Sequence, residues 1–143
     1  MKHFLGIEDE EFIRGKVPMT KKEIRILTLA GAKIGKNDIV CDIGAGTGSL
    51  SIEAALLAKA GHVYAVERKK EAVELIRQNA AKFGIENITI IESEAPAGLE
   101  RLPERLDAAI IGGTGSHLEE ILEFLGKALL LRIHRISAEC GKL

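Results

Sequence analysis

With 143 residues, 46% of them hydrophobic, the chain has the material for one domain around one apolar core. A formal net charge of -1 with 29% charged residues offers no basic field, so neither nucleic acid nor a membrane surface is expected as a partner. The two cysteines, Cys41 and Cys140, make neither a disulfide framework nor a metal spacing, and Glu8 to Glu11 is acidic where a signal peptide needs an apolar core. No stretch approaches the ~20 apolar residues of a membrane span. The expectation is a cytoplasmic protein with free thiols and no metal.

In chain order, residues 1–19 are polar and acidic with scattered Phe4, Leu5, Ile7, Phe12 and Ile13, and read as a cover segment. Thr20 and Glu23 have capping-box spacing, opening a helix on Ile24, Leu27, Ala30 and Ile34, with Gly31 and Gly35 marking its end. A strand over Ile39 to Ile43 follows, then a glycine turn, then a helix over Ser49 to Ala60 stopped by Gly61. The next strand is His62 to Glu67, and the next helix Glu71 to Phe83, with Val73, Ile76, Ala80 and Phe83 on one face. Strands over Ile88 to Ile91 and Asp107 to Ile111 come next, then a helix from a Ser116 cap through Ile121 and Leu125 to Lys127. This alternation predicts an α/β fold: a Rossmann-like, doubly wound, mostly parallel sheet covered on both faces through right-handed crossovers.

In such a sheet the ligand lies at the carboxyl ends of the strands, where the strand order reverses. The first strand ends in Asp42-Ile43-Gly44-Ala45-Gly46-Thr47-Gly48. Glycines there let the backbone N–H groups approach a ligand closely. A dinucleotide fingerprint would need its third glycine at the position of Ser49, so the G-x-G-x-G form instead resembles motif I of the S-adenosylmethionine methyltransferases. Asp42, Gly44, Ala45, Gly46, Thr47 and Gly48 are therefore cofactor-side candidates. Glu67 ends the second strand, 21 residues after Gly46, where an acid can accept both ribose hydroxyls. Glu94 and Ala95, after the third strand, have the place that flanks an adenine, and Thr20, besides capping a helix, can offer free N–H groups. After the fourth strand Gly112-Gly113-Thr114-Gly115 leaves room for a bulky substrate, and Gly112, Gly113, Thr114 and His117 are substrate-side candidates.

Six stretches in order resemble the decarboxylating precorrin/cobalt-precorrin methyltransferases of cobalamin biosynthesis, the CbiT family. They are Ile7 to Ile13, Val17 to Lys21, Asp42 to Gly48, Ala65 to Arg68, Glu92 to Pro96 and Ile111 to Gly115. The resemblance implies an S-adenosylmethionine-dependent enzyme that methylates carbon 15 of a tetrapyrrole with loss of carboxylate from the carbon 12 acetate. It further implies that Thr20, Gly44 to Gly48, Glu67 and Ala95 touch the cofactor, and that the protein is a homo-oligomer, a tetramer in that family. Positioning can supply much of the rate of such a transfer and no nucleophile on the protein is needed, so no catalytic residue is assigned.

The family continues with a Lys-Pro-Gly-Gly turn, a fifth strand and a hairpin, whereas this chain reads Gly126-Lys127-Ala128-Leu129 and on to Leu143. Residues 129–143 are thus an atypical tail, expected to supply one strand over Leu129 to Ile136 or a helix extension, with Arg132, His134 and Arg135 guarding a sheet edge. The expectation is a C-terminally shortened form of a longer gene product. A methyltransferase acting on RNA or protein, and a cofactor-binding module without turnover, are the alternatives.

Overall fold

The computed structural model describes residues 5–127 and 129–135; of the side chains in 128–135, that of Arg132 is described. Five strands form one sheet: β1 (Ile39–Ile43), β2 (His62–Glu67), β3 (Ile88–Glu92), β4 (Arg105–Ile111) and β5 (Leu129–Arg135). Their order is β3-β2-β1-β4-β5, and every pairing is parallel. The helices are α1 (Lys22–Ala32), α2 (Ser49–Leu57), α3 (Lys70–Lys82) and α4 (Leu118–Lys127).

The pleat sends alternate residues of each strand to opposite faces, and both faces are apolar. Cys41, Ile43, Val66, Ile91, Ala109 and Ile111 pack against Ile121 and Leu125 of α4 and against Leu99 in the β3–β4 connection. On the other face Val40, Val63, Ala108 and Ile110 meet Leu29 of α1 and Leu50, Ala54 and Ala55 of α2. Right-handed crossovers explain the division. The chain steps β1 to β2 to β3 in one direction, then returns past β1 to β4 and β5 in the other, so the later connections lie on the opposite face. The reversal sits between β1 and β4.

Several boundaries depart from expectation. The Thr20–Glu23 capping box does not form. Lys21 is the N-cap of α1 and makes no side-chain capping bond, and the Lys22 N–H donates to Asp9 Oδ1 at 3.0 Å, a cap supplied from the cover segment. The buried face of α1 is Ile24, Arg25, Thr28, Leu29 and Ala32, while Leu27 is 67% exposed. That rotation has a cause: a buried guanidinium, not an aliphatic residue, centres the face. Gly31 lies inside α1, which ends where Lys33 turns left-handed at φ 51°. α2 ends at Leu57, earlier than Ala60, and the Ile121 N–H donates to the His117 carbonyl, which makes His117 rather than Ser116 the cap of α4.

The cover segment is tied down by charge as well as by Ile7, Phe12 and Val17. Arg25, with no exposed side-chain surface, donates to Glu53 Oε2 (2.7 Å), Asp9 Oδ1 (2.9 Å), the Thr20 carbonyl (2.5 Å) and the Ile7 carbonyl (2.5 Å). Glu53 Oε1 accepts from the Gly6 and Ile7 N–H groups at 2.7 and 3.2 Å. Of the tail, β5 is a strand and not a helix extension; Ile136 and 137–143 lie outside the described residues. Arg132 is no edge guard, because its guanidinium turns back to the Ala32 carbonyl (2.8 Å) and Asp38 Oδ2 (2.5 Å). The side chains of His134 and Arg135 lie outside the described residues.

Candidate active site

At the β1/β4 reversal the two strand ends diverge into glycine loops that touch. A Cβ added at Gly44, whose φ is +76°, would lie 2.3 Å from the Gly113 backbone nitrogen. The turn after β1 is anchored on β2, since the Gly44 and Ala45 N–H groups both donate to the Val66 carbonyl, at 2.9 and 3.1 Å. The Gly112 N–H donates to the Ile43 carbonyl at 2.9 Å.

Glu67 binds the turn from the end of β2. Its Oε1 accepts from the Gly46 N–H at 3.0 Å and its Oε2 from the Lys69 N–H at 2.8 Å, and the residue is 8% exposed. A carboxylate has about four lone-pair positions, so two protein donors leave capacity for a ligand.

These elements enclose an open cavity of about 260 Å³. Of the residues expected at a site, Gly44, Gly46, Glu67, Glu94, Ala95, Gly113 and Thr114 line it. The others do not line it. Asp42 is 1% exposed and accepts from the Ser51 hydroxyl at 2.6 Å; burial pushes its carboxyl up to about 6, the Ser51 bond opposes the shift, and the Glu67 charge adds to it. Ala45 faces β2 with its N–H; a Cβ at Gly48 would meet Ile76 of α3 at 3.1 Å. Thr20 is half-buried with its carbonyl on Arg25. His117 lies beyond the Gly112–Gly115 loop, its Nδ1 2.9 Å from Glu120 Oε2 and its Nε2 3.7 Å from Glu94 Oε1.

Sequence reasoning missed Val17, Pro18, Arg68, Lys69 and Ser93, which also line the cavity. Arg68 and Lys69 directly follow the acid of β2, and Val17-Pro18 punctuates the cover segment, so position relative to known motif residues was the available signal.

The lining suits a nucleoside: glycine backbone, an acid able to take hydroxyl hydrogens, and the Glu94–Ala95 stretch. The Thr47 hydroxyl, in the glycine turn, is buried without a hydrogen-bond partner among the described residues. Among the described residues no group of three His, Cys, Asp or Glu could hold a metal, and no helix is long and apolar enough to cross a membrane.

Residues 11–142 match the model of a precorrin methyltransferase domain. The chain is 50% identical over 126 residues to a probable cobalt-precorrin-6B C(15)-methyltransferase (decarboxylating) of Sulfolobus acidocaldarius, covering 87% of this chain and 65% of that one. The corresponding protein of Methanocaldococcus jannaschii is 42% identical, with 85% and 64% covered. Among solved structures, a precorrin-6y C5,15-methyltransferase of Geobacter metallireducens superposes with a TM-score of 0.83 at 41% identity, covering 87% of this chain and 65% of that one. A precorrin 8w decarboxylase of Methanobacterium thermoautotrophicum gives 0.80 at 38% identity, covering 86% and 66%. The chain spans 60% to 65% of the length of the curated relatives it matches.

Proposed function

The chain belongs to the precorrin methyltransferase family, and from that premise we propose that it binds S-adenosylmethionine in the β1/β4 cavity and serves methylation of carbon 15 of a precorrin or cobalt-precorrin, with decarboxylation of the carbon 12 acetate. The observation that carries this reading is Glu67. It is the acid at the end of β2, it lines the cavity, and it holds the glycine turn through the Gly46 N–H at 3.0 Å.

S-adenosylmethionine, when bound, supplies an electrophilic methyl group. The residues of the chain bind and orient. The free lone pairs of Glu67 accept ribose hydroxyls, and Glu94 with Ala95 flanks the base. Gly113 and Gly115, without side chains, leave room for a flat polycarboxylate macrocycle. With both reactants held at near-attack distance, positioning supplies much of the rate, on the order of 7–11 kcal/mol in well-oriented systems. No nucleophile on the protein is required. A cytoplasmic site of action and assembly into a homo-oligomer belong to the same reading.

The test is calorimetric titration of the 143-residue chain with S-adenosylhomocysteine, with NAD as control, repeated on Glu67→Ala. Binding of S-adenosylhomocysteine alone, weakened at least tenfold in the variant as expected for loss of roughly 1.4 kcal/mol or more, supports the site. Release of carbon dioxide and a methylated product from a cobalt-precorrin would extend it to turnover. Binding without turnover would favour a cofactor-binding module, and equal binding of NAD would sink the assignment of the cavity.

A further inference from the structure

Among the buried polar side chains that the mechanism does not use, Asn79 bridges two parts of the chain. Asn79 of α3 has no exposed surface, and the hydrogen bonds of its side chain go to groups outside its own helix. Its Oδ1 accepts from the Ile13 N–H at 2.7 Å, and its Nδ2 donates to the Ile13 carbonyl at 3.1 Å and to the Thr47 carbonyl at 3.0 Å. Both amide hydrogens are used, one on the cover segment and one on the glycine turn. The Thr47 carbonyl precedes Gly48, the N-cap of α2, so it lies outside the helical ladder and needs a donor from elsewhere. Asn79 is that donor.

The neighbouring contacts point the same way. Ile76, one turn earlier on α3, is the atom set that a Cβ at Gly48 would meet, at 3.1 Å. Ala72 and Leu75 pack on Val17 of the cover segment. At the far end of that segment Val17 and Pro18 line the cavity, and the Pro18 carbonyl is 3.4 Å from where a Gly46 Cβ would stand. One face of α3 therefore holds both the turn and the cavity wall that the segment contributes.

We propose that Asn79 is a positioning residue that couples seating of the cover segment, residues 5–20, to the ligand-binding shape of the glycine turn, so that nucleoside binding and segment docking form one equilibrium. The proposal rests on the cofactor reading of the cavity. Linkage makes it reciprocal: a ligand that favours the turn's shape must also favour the docked segment, and an undocked segment weakens the ligand. Arg25 and Glu53 secure the segment through hydrogen bonds to Gly6, Ile7, Asp9 and Thr20, all of them outside the turn.

Two measurements test this. In the unmodified chain, amide hydrogen exchange is followed with and without S-adenosylhomocysteine at Gly48, whose N–H bonds to the Ala45 carbonyl, and at Ile13, whose N–H bonds to Asn79 and which does not line the cavity. Coupling slows both by a similar factor. Slowing at Gly48 with none at Ile13 overturns the proposal without any variant having to fold. Second, Asn79→Ala is compared by calorimetry and by trypsin cleavage at the exposed Arg14 and Lys16. The variant is expected to bind S-adenosylhomocysteine roughly tenfold more weakly, within the usual range of coupling, and ligand should protect its segment less than in the unmodified chain. A folded Asn79→Ala chain with unchanged affinity and unchanged ligand protection overturns the coupling alone. Absence of binding in the unmodified chain overturns the cofactor reading and the coupling with it.

Discussion

Asp42 shows at residue scale how the site is wired from beneath. Its carboxyl is raised from an ordinary 3.8 to about 6, chiefly by burial, so between these values the folded chain keeps a proton that the unfolded chain has lost. Stability from this group is therefore full below about pH 4 and falls as pH rises to about 6, with a total of up to about 3 kcal/mol. Asp42→Asn removes that slope. Urea denaturation at a series of pH values should show the variant gaining on the parent between pH 4 and 6, with a constant difference above. A difference that stays flat across that window would mean that the Ser51 hydrogen bond already offsets burial. Cys41, next to it, has its thiol pushed up to about 12 by burial and by the Asp42 charge, so it is inert as a nucleophile.

Between elements, the contact of the two glycine loops is unequal in its tolerance. Gly44 has φ +76° and faces Gly113 backbone at 2.3 Å from an added Cβ, whereas a Cβ on Gly113 would meet Gly44 Cα at an ordinary 3.6 Å. Gly44→Ala should lose at least about 2 kcal/mol from left-handed strain plus overlap, and with it nucleoside binding. Gly113→Ala should stay within about 0.5 kcal/mol in the same denaturation assay. Equal costs would show that the loops do not pack as described. The seam between the cover segment and α1 depends instead on charge. Arg25→Met leaves Glu53 buried without its ion, an imbalance that costs about 3–5 kcal/mol, and Arg25→Met with Glu53→Gln should recover part of it. Thermal melts of the single and double variants check this; a double variant no better than the single would place the loss in packing.

For the whole molecule, the 3-2-1-4-5 order puts the reversal at β1 and β4, and the cavity follows from it. β1 is the central strand, so its glycine turn can be braced by β2 through Val66 and Glu67, by β4 through Gly112 and Gly113, and by α3 through Asn79. Arg132 joins β5 to the end of α1 and to Asp38, linking the outer strand to the loop that leads into β1. The parts that shape the cavity thus come from the cover segment and four strand ends, separated widely in sequence.

Read alone, the sequence determined the alternating strands and helices, the glycine turn, Glu67 and the Gly112–Gly115 loop, because strand and helix periods and glycine spacing are local properties of the chain. It also placed β2 at its observed bounds, where an apolar run ends in an acid. The tertiary structure alone decided what a polar residue on a helix does. The apolar periodicity of the helices says nothing of Arg25, Glu53 and Asn79, and each is buried because a segment distant in sequence brings backbone groups for it to bond. Thr20 and Ser116 read as caps by spacing, yet Asp9 and His117 took those posts, since an orphan N–H or carbonyl takes whichever partner the fold brings within reach.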